Sequence, residues 1–196
     1  MKSALFLVVM TFCWSSCSNI GSGKSGKDYL HVPGPFDLMS FRYNLIRSSH
    51  PSGSEYMQEY LPGAETPEHY TEMIVVQLVM SNENLKDLVV NKAKEIQARK
   101  NSDPYAEYNV GENKETHEVL LDYIFSEGTG EQAMAEWNIC RYKPYADTKG
   151  NKGYVLLRWT RRSYGPAYQQ FAEDLKTNRK TYVLPFMKLN FPAVSL

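Results

Sequence analysis

The alternation of apolar and polar residues along this chain predicts mainly β-strands. In residues 36–47, one face of an extended strand would carry the apolar side chains and the other face the polar ones. Residues 73–80 (MIVVQLVM) are apolar almost throughout, which is typical of a central strand covered on both faces. The predicted strands cover residues 36–47, 55–61, 73–80, 105–110, 115–125, 132–142 and 154–164.

Apolar residues at helical spacing predict two amphipathic helices. The first covers residues 85–100, with an apolar stripe of Leu85, Leu88, Val89, Ala93 and Ile96. The second opens at Gly165-Pro166 and can dock on a sheet through Tyr168, Phe171, Ala172 and Leu175. A short helix is also predicted to start at Thr66-Pro67-Glu68, where Thr would act as the cap. Residues 181–191 form a mixed segment that Pro185 is expected to break.

The order of these elements predicts an α+β fold. Short Gly-rich turns between consecutive strands favour antiparallel pairing. Each amphipathic helix needs a sheet face to cover. We therefore expect a single antiparallel sheet flanked by helices, an αβα sandwich, in one domain over residues 35–196.

One segment of the chain resembles a known family. Residues 60–63 (YLPG) and 65–77 (ETPEHYTEMIVVQ) are similar to a segment of PsbP-like proteins and related bacterial proteins, although Tyr70 stands where Trp is more usual. The resemblance implies the αβα sandwich of that family. It also implies a structural role for the motif, with Tyr70 and Met73 buried and Glu72 hydrogen-bonded locally. Members include photosystem accessory subunits and binders of a small GTPase, so the resemblance implies a non-enzymatic protein and transfers no activity.

The N-terminus is typical of a bacterial lipoprotein export signal. Lys2 precedes the apolar residues 5–11 (LFLVVMT), and residues 14–16 (WSS) precede Cys17. We expect residues 1–16 to be a cleaved signal peptide, Cys17 to carry lipid, and residues 17–34 to form a flexible tether. The protein would then be anchored in the bacterial cell envelope, to a membrane outside the cytoplasm, with the outer membrane favoured. Ordinary secretion with an unmodified Cys17 is the alternative.

Charge and composition argue against several partner classes. The 22 basic and 22 acidic residues balance, so no nucleic-acid partner is predicted. Residues 21–27 have the spacing of a phosphate-binding loop, but the apolar run before them belongs to the signal and Asp28 replaces the magnesium-binding Ser or Thr. No nucleotide and no other cofactor is therefore predicted. Cys140 has no expected disulfide partner and is predicted to be a small buried apolar residue.

The candidate site lies on the predicted strand 154–164. Arg158, Thr160 and Arg162 alternate onto one face, where guanidinium groups could bind a carboxylate, a phosphate or an acidic partner. They could equally pair with acidic residues of a neighbouring strand, for example Glu118, Asp122 or Glu136. His69 and Glu72 have a spacing that could hold a metal, but no further ligands complete a site, so no metal is predicted.

Two functions remain open from the sequence. The leading hypothesis is a non-catalytic, lipid-anchored module that binds an unknown protein or small molecule or takes part in assembly; no catalytic residues are predicted. The alternative is a small-molecule or glycan-active hydrolase whose carboxylates come together only in the fold. Two carboxylates about 5–10 Å apart in a deep pocket would favour the hydrolase. A flat apolar patch rich in the chain's 14 tyrosines would favour a protein partner.

Overall fold

The computed structural model describes residues 27–196, so the predicted signal peptide and the predicted lipidation site Cys17 lie outside the described residues. The described chain forms one curled antiparallel sheet of eight strands and two helices. The strands are β1 Phe36–Leu38, β2 Phe41–Ser52, β3 Glu55–Pro62, β4 Glu72–Met80, β5 Glu107–Asn113, β6 Glu118–Glu127, β7 Met134–Ala146 and β8 Lys152–Tyr164. The helices are α1 Leu85–Arg99 and α2 Tyr168–Met187.

The sheet consists of two antiparallel meanders that meet in its middle. Its strand order is β1-β2-β3-β4-β8-β7-β6-β5, so β4 pairs with β8. Strand β4 contains the apolar residues 73–80 and lies inside the sheet, as their composition predicts. Strand β8 lies beside it, between β4 and β7.

The predicted αβα sandwich is wrong, and with it the PsbP-like fold. Strands make up 45% of the structure and helices 24%, and the sheet curls into a half-barrel. Eight strands at a spacing of about 4.8 Å span about 34 Å, whereas a helix is about 10 Å wide. Helix α1 contacts mainly β5 and β6, and helix α2 contacts mainly β7 and β8. Two helices are therefore too few to form complete layers on a sheet of this width.

One side of the sheet, here called the α2 face, carries the largest apolar core. Trp137 and Trp159 lie at its centre beneath Phe186 of α2, and each of the three is at most 1% exposed. Leu30 and Val32, which fall within the predicted tether, are also buried in this core. The ordered domain therefore starts before residue 35.

The opposite side, here called the α1 face, carries two separate apolar clusters. The first lies between α1 and the strands β6, β7 and β8, and includes Cys140 and Leu156. The second consists of Leu61, Tyr70, Met73 and Val75, with Met57 packed against it. Polar side chains of β7 and β8 lie between the two clusters, and these form the candidate site.

Three local predictions differ from the structure. The predicted strand 36–47 is interrupted at Met39, which has a positive φ of 55° in a turn between β1 and β2. The short helix predicted at Thr66 is absent; Thr66 and His69 instead form an isolated β-bridge. Pro185 does not break the C-terminal segment. It lies within the last turn of α2, so its missing N–H removes one helical hydrogen bond with only two helical residues after it.

Candidate functional site

Arg158, Thr160 and Arg162 lie on the α1 face of β8. In the register of the sheet, Arg158 is opposite Val75 of β4 and Cys140 of β7. Thr160 is opposite Asn138, and Arg162 is opposite Glu136. The strand therefore places the three side chains in one line between the two apolar clusters, but each meets a different neighbour.

Arg162 is held by β7 and by the β3–β4 connection. Its Nε donates a hydrogen bond to Glu136 Oε2 at 2.6 Å, and its guanidinium carbon lies 4.1 Å from the centroid of the Tyr70 ring. Burial by itself would lower the pKa of Arg162, but the charge and hydrogen bond of Glu136, together with Tyr70 and Tyr164, outweigh this effect and the pKa is raised. Arg162 is thus occupied by contacts within the protein.

Thr160 belongs to the same hydrogen-bonded chain. It is 1% exposed, and its Oγ1 donates to Asn138 Oδ1 at 2.7 Å. Asn138 in turn donates from Nδ2 to Glu136 Oε1 at 2.8 Å. Thr160, Asn138, Glu136 and Arg162 therefore form one polar chain in which each side chain has a partner. Thr160 is too deeply buried to contact a ligand directly.

Arg158 is the member of the line that lacks a partner. Its Nε is buried and forms no hydrogen bond within residues 27–196. The other two arginines of β8 both form ion pairs, Arg161 with Glu72 at 3.1 Å and Arg162 with Glu136 at 2.6 Å. A guanidinium remains protonated in proteins, so Arg158 contributes an uncompensated positive charge to this face.

The groups around Arg158 supply no anion to bind it. Burial raises the pKa of the Cys140 thiol to about 12 and raises that of the Tyr123 hydroxyl well above its ordinary value, so both are neutral at physiological pH. Glu136 contributes a negative charge nearby, but its two oxygens already accept bonds from Arg162 and Asn138. None of these groups therefore offers a free anionic oxygen to the Arg158 guanidinium.

A cavity of about 700 Å³ opens on the α1 face beside α1. Its lining includes Tyr142, Tyr154 and Leu156 from the sheet and Leu88 and Lys92 from α1. Because side chains two residues apart on a strand lie on the same face about 7 Å apart, Arg158 follows Leu156 directly along the strand. Arg158 is not among the residues that line the cavity. We use the name β8 groove for the cavity together with the adjoining position of Arg158 on the same face.

The acidic residues that the sequence offered as partners for β8 lie elsewhere, except Glu136. Glu118 pairs with Arg141, and the distance from Arg141 Nη2 to Glu118 Oε2 is 2.8 Å. Asp122 pairs with Arg179 of α2 and also accepts a bond from Trp137 Nε1 at 3.2 Å. Burial raises the pKa of Asp122, and the Arg179 charge opposes that rise. Both acids hold α2 and the C-terminal segment to the sheet instead of neutralising Arg158.

The residues of the sequence motif are divided between the two faces. Tyr70 and Met73 are buried on the α1 face, with exposures of 5% and 2%. Glu72 accepts bonds from Arg161 Nε at 3.1 Å and from the Tyr43 hydroxyl. The His69 ring stacks on Tyr164 with centroids 4.6 Å apart. Within residues 27–196, no group of three His, Cys, Asp or Glu side chains is arranged to hold a metal ion.

A second large cavity, of about 950 Å³, lies at the β7–β8 turn near the C-terminus. Its acidic residue Asp147 accepts bonds from the Lys149 and Asn151 backbone amides, both at 2.8 Å, and from Asn151 Nδ2 at 2.7 Å. Those bonds, with Asn151 Nδ2 the largest contribution, lower the pKa of Asp147. Asp147 therefore stabilises its own turn. The β8 groove is the stronger candidate site because it contains the unpaired Arg158.

Comparison with known proteins identifies a family for the chain but no individual similar protein. No curated protein and no solved structure matches the chain. Within the described residues, no helix is both long and apolar enough to cross a membrane. A family model matches residues 30–191, which include every strand and helix described above, but the match does not support the resemblance to PsbP-like proteins. The chain belongs to this uncharacterised family.

Proposed function

We propose that this protein is a non-catalytic binding module, carried on a lipid anchor outside the cytoplasm, whose Arg158 binds an anionic group of its partner. The observation that supports the proposal is the buried Nε of Arg158, which has no acceptor within residues 27–196. A buried donor without an acceptor costs roughly 1–3 kcal/mol. A carboxylate or phosphate oxygen placed there would remove this cost and form a charge-assisted bond.

The anchor in this proposal comes from the N-terminal sequence. Residues 1–17 have the pattern of a lipoprotein signal that ends at Cys17. A lipid at Cys17 would hold the domain at a membrane surface, where a partner in the envelope could reach the β8 groove.

The hydrolase alternative has less support from the carboxylates. The buried acids of the described chain are Glu59, Asp103, Glu118 and Asp122. Three of them bind arginines, and Asp103 accepts bonds from Ser126 N at 2.6 Å and Ser126 Oγ at 2.7 Å. Glu136, which lies beside the β8 groove, also binds an arginine. A carboxylate whose oxygens are already held by internal donors is poorly placed to transfer a proton to a substrate.

A titration with simple anions tests the proposed role of Arg158. The Nε–H signal of Arg158 is followed by NMR in the full chain carrying Cys17→Ala, first with acetate and then with inorganic phosphate. We expect a saturable shift of that signal, because the donor has no competing acceptor. Arg158→Gln should abolish the saturable shifts of neighbouring signals, and Arg42→Gln should not, since the Arg42 side chain is 65% exposed outside the groove. Absence of a saturable shift would disprove anion binding at Arg158.

A further inference from the structure

We infer that the β8 groove binds an elongated small molecule with one anionic end, held at Arg158, and an apolar body containing rings, held over Tyr142, Tyr154 and Leu156. This inference rests on the proposed function and specifies the class of ligand. The inference follows from three features: the direction in which a ligand can extend from Arg158, the side chains along that direction, and the length of the groove.

The groove is closed on the side of Arg158 that leads towards the end of β8. Thr160, the next residue on that face, is 1% exposed. Beyond it, Arg162 and Tyr70 are in contact at 4.1 Å, and the Tyr164 hydroxyl donates to the Tyr70 carbonyl at 2.9 Å. A ligand bound to Arg158 therefore cannot extend in this direction without breaking these contacts.

In the opposite direction the groove is open. Its sheet side is apolar and aromatic, whereas the opposite wall carries the polar or charged side chains Glu83, Asn91, Lys92 and Glu95. Leu156 lies next to Arg158 on the same face, and Tyr154 follows it. The Tyr142 and Tyr154 rings are 6.1 Å apart and tilted by 57°, so they offer an aromatic surface to a flat group. Leu88 of α1 completes the apolar lining of the cavity.

The size and charge of the groove favour a small molecule. From Tyr154 to Arg158 the strand rises about 13 Å. The cavity volume of about 700 Å³ is within the usual range for small-molecule sites. Lys92 adds a second cation at the rim, although Glu95 lies 2.9 Å from its Nζ. The groove therefore contains one unpaired guanidinium, that of Arg158, which can bind one anionic group strongly.

Two fluorescent probes with the same ring system separate the two parts of the inference. Anilinonaphthalene sulfonate carries one anionic group, and phenylnaphthylamine has similar rings without it. Each is titrated into the full chain carrying Cys17→Ala, and thermal unfolding and near-ultraviolet circular dichroism verify that every variant is folded. We expect the sulfonate to bind at one site, and Arg158→Gln to weaken it by about tenfold or more. The same substitution should leave the affinity for the neutral probe unchanged.

A second variant tests the body of the ligand. Tyr154→Ala should weaken both probes to a similar extent, and the control Arg42→Gln should weaken neither. If Tyr154→Ala leaves sulfonate binding intact while Arg158→Gln removes it, the inferred ligand class is wrong and anion binding at Arg158 survives. If Arg158→Gln leaves sulfonate binding unchanged, the inferred orientation is wrong, and the acetate titration then decides the proposed function separately. A folded protein that binds neither probe also overturns the inference.

Discussion

Arg158 and Arg162 lie four residues apart on one face of one strand, yet their surroundings differ. Alternation along the sequence is sufficient to predict that they share a face. It cannot predict their partners, because these depend on the register of β8 against β7, which places Glu136 opposite Arg162 and Cys140 opposite Arg158. The candidate face could therefore be found from the sequence, whereas the unpaired guanidinium required the structure.

This difference predicts opposite effects on stability for two similar substitutions. Arg162→Gln should lower the free energy of unfolding by about 2 kcal/mol, because Glu136 would keep its charge at a mostly buried position without its ion-pair partner. Arg158→Gln should raise it slightly, by up to about 1 kcal/mol, because no hydrogen bond is lost and a buried donor without an acceptor is removed. Urea denaturation of both variants measures the two values. Equal losses would show that Arg158 has an internal partner.

Cys140 gives a residue-scale prediction about pH. The side chain is 1% exposed, and burial raises its pKa from the ordinary 9.0 to about 12. The thiolate is the reactive form, so the folded protein should react with iodoacetamide only very slowly at pH 9 and the urea-unfolded protein rapidly. Since the folded pKa is the higher one, any stability gained from the protonated thiol should decline as pH rises from 9.0 to about 12. Mass spectrometry of the alkylated chain measures the rates, and rapid native alkylation would contradict the burial.

At the scale of elements, the connection between β3 and β4 covers one end of the α1 face. The sequence predicts a short helix here from Thr66 and Pro67, because these residues are common at helix starts. The structure has a β-bridge between Thr66 and His69, and Thr66 Oγ1 accepts a bond from the His69 amide at 3.3 Å. The cap-like threonine therefore stabilises a tight turn, which local propensity alone does not distinguish from the first turn of a helix.

Tyr70 is the residue through which this connection is held to the sheet. Its ring lies in the apolar cluster with Leu61 and Met73 and against Arg162. We predict that Tyr70→Ala destabilises the protein by roughly 3 kcal/mol, because it leaves a cavity beneath Arg162. Chemical denaturation measures the loss, and His50→Ala, in the exposed part of β2, serves as a control with a small expected effect. An unchanged midpoint for Tyr70→Ala would rule out a core role.

Helix α2 shows why a helix end is difficult to predict from sequence. Pro185 suggests a break, but tertiary contacts support the end of the helix from outside. Arg141 donates from Nη1 to the carbonyl oxygens of Phe186 at 3.3 Å and Leu189 at 2.7 Å. These bonds satisfy carbonyl groups that a helix end leaves without intrahelical partners. The partner residue is more than 40 positions away in the chain, so a local pattern contains no sign of it.

At the scale of the whole molecule, the strand pattern was predictable and the curvature was not. Alternation identifies strands one at a time, and the antiparallel order follows from short connections. Whether helices form complete layers depends on how much of each face other elements cover. Here that coverage comes from two helices, from the β3–β4 connection with Tyr70, and from chain ends that include Leu30 and Val32. The resemblance over residues 60–77 was a local match and carried no information about this coverage.

The location of the protein is a prediction at this scale. Cys17→Ala should release the domain from the membrane fraction, because the predicted lipid would be lost. Fractionation of cells with and without the substitution, followed by immunoblotting, measures the release. Cys140→Ala is the matched control and should leave the distribution unchanged. Membrane association that persists without Cys17 would contradict a lipid anchor at that residue.

The burial of Leu30 also determines how force would enter the domain. The Leu30 carbonyl accepts a bond from the Ser195 amide at 3.1 Å, so the two ends of the described chain are tied together at one point. A pull transmitted from Cys17 would first load Asp28, which accepts a bond from Gln58, and Tyr29, whose amide donates to Ser48, and then the fully buried Leu30. The chain from Cys17 to Leu30 can span at most about 45 Å. This length would limit the distance between the domain and an anchoring membrane.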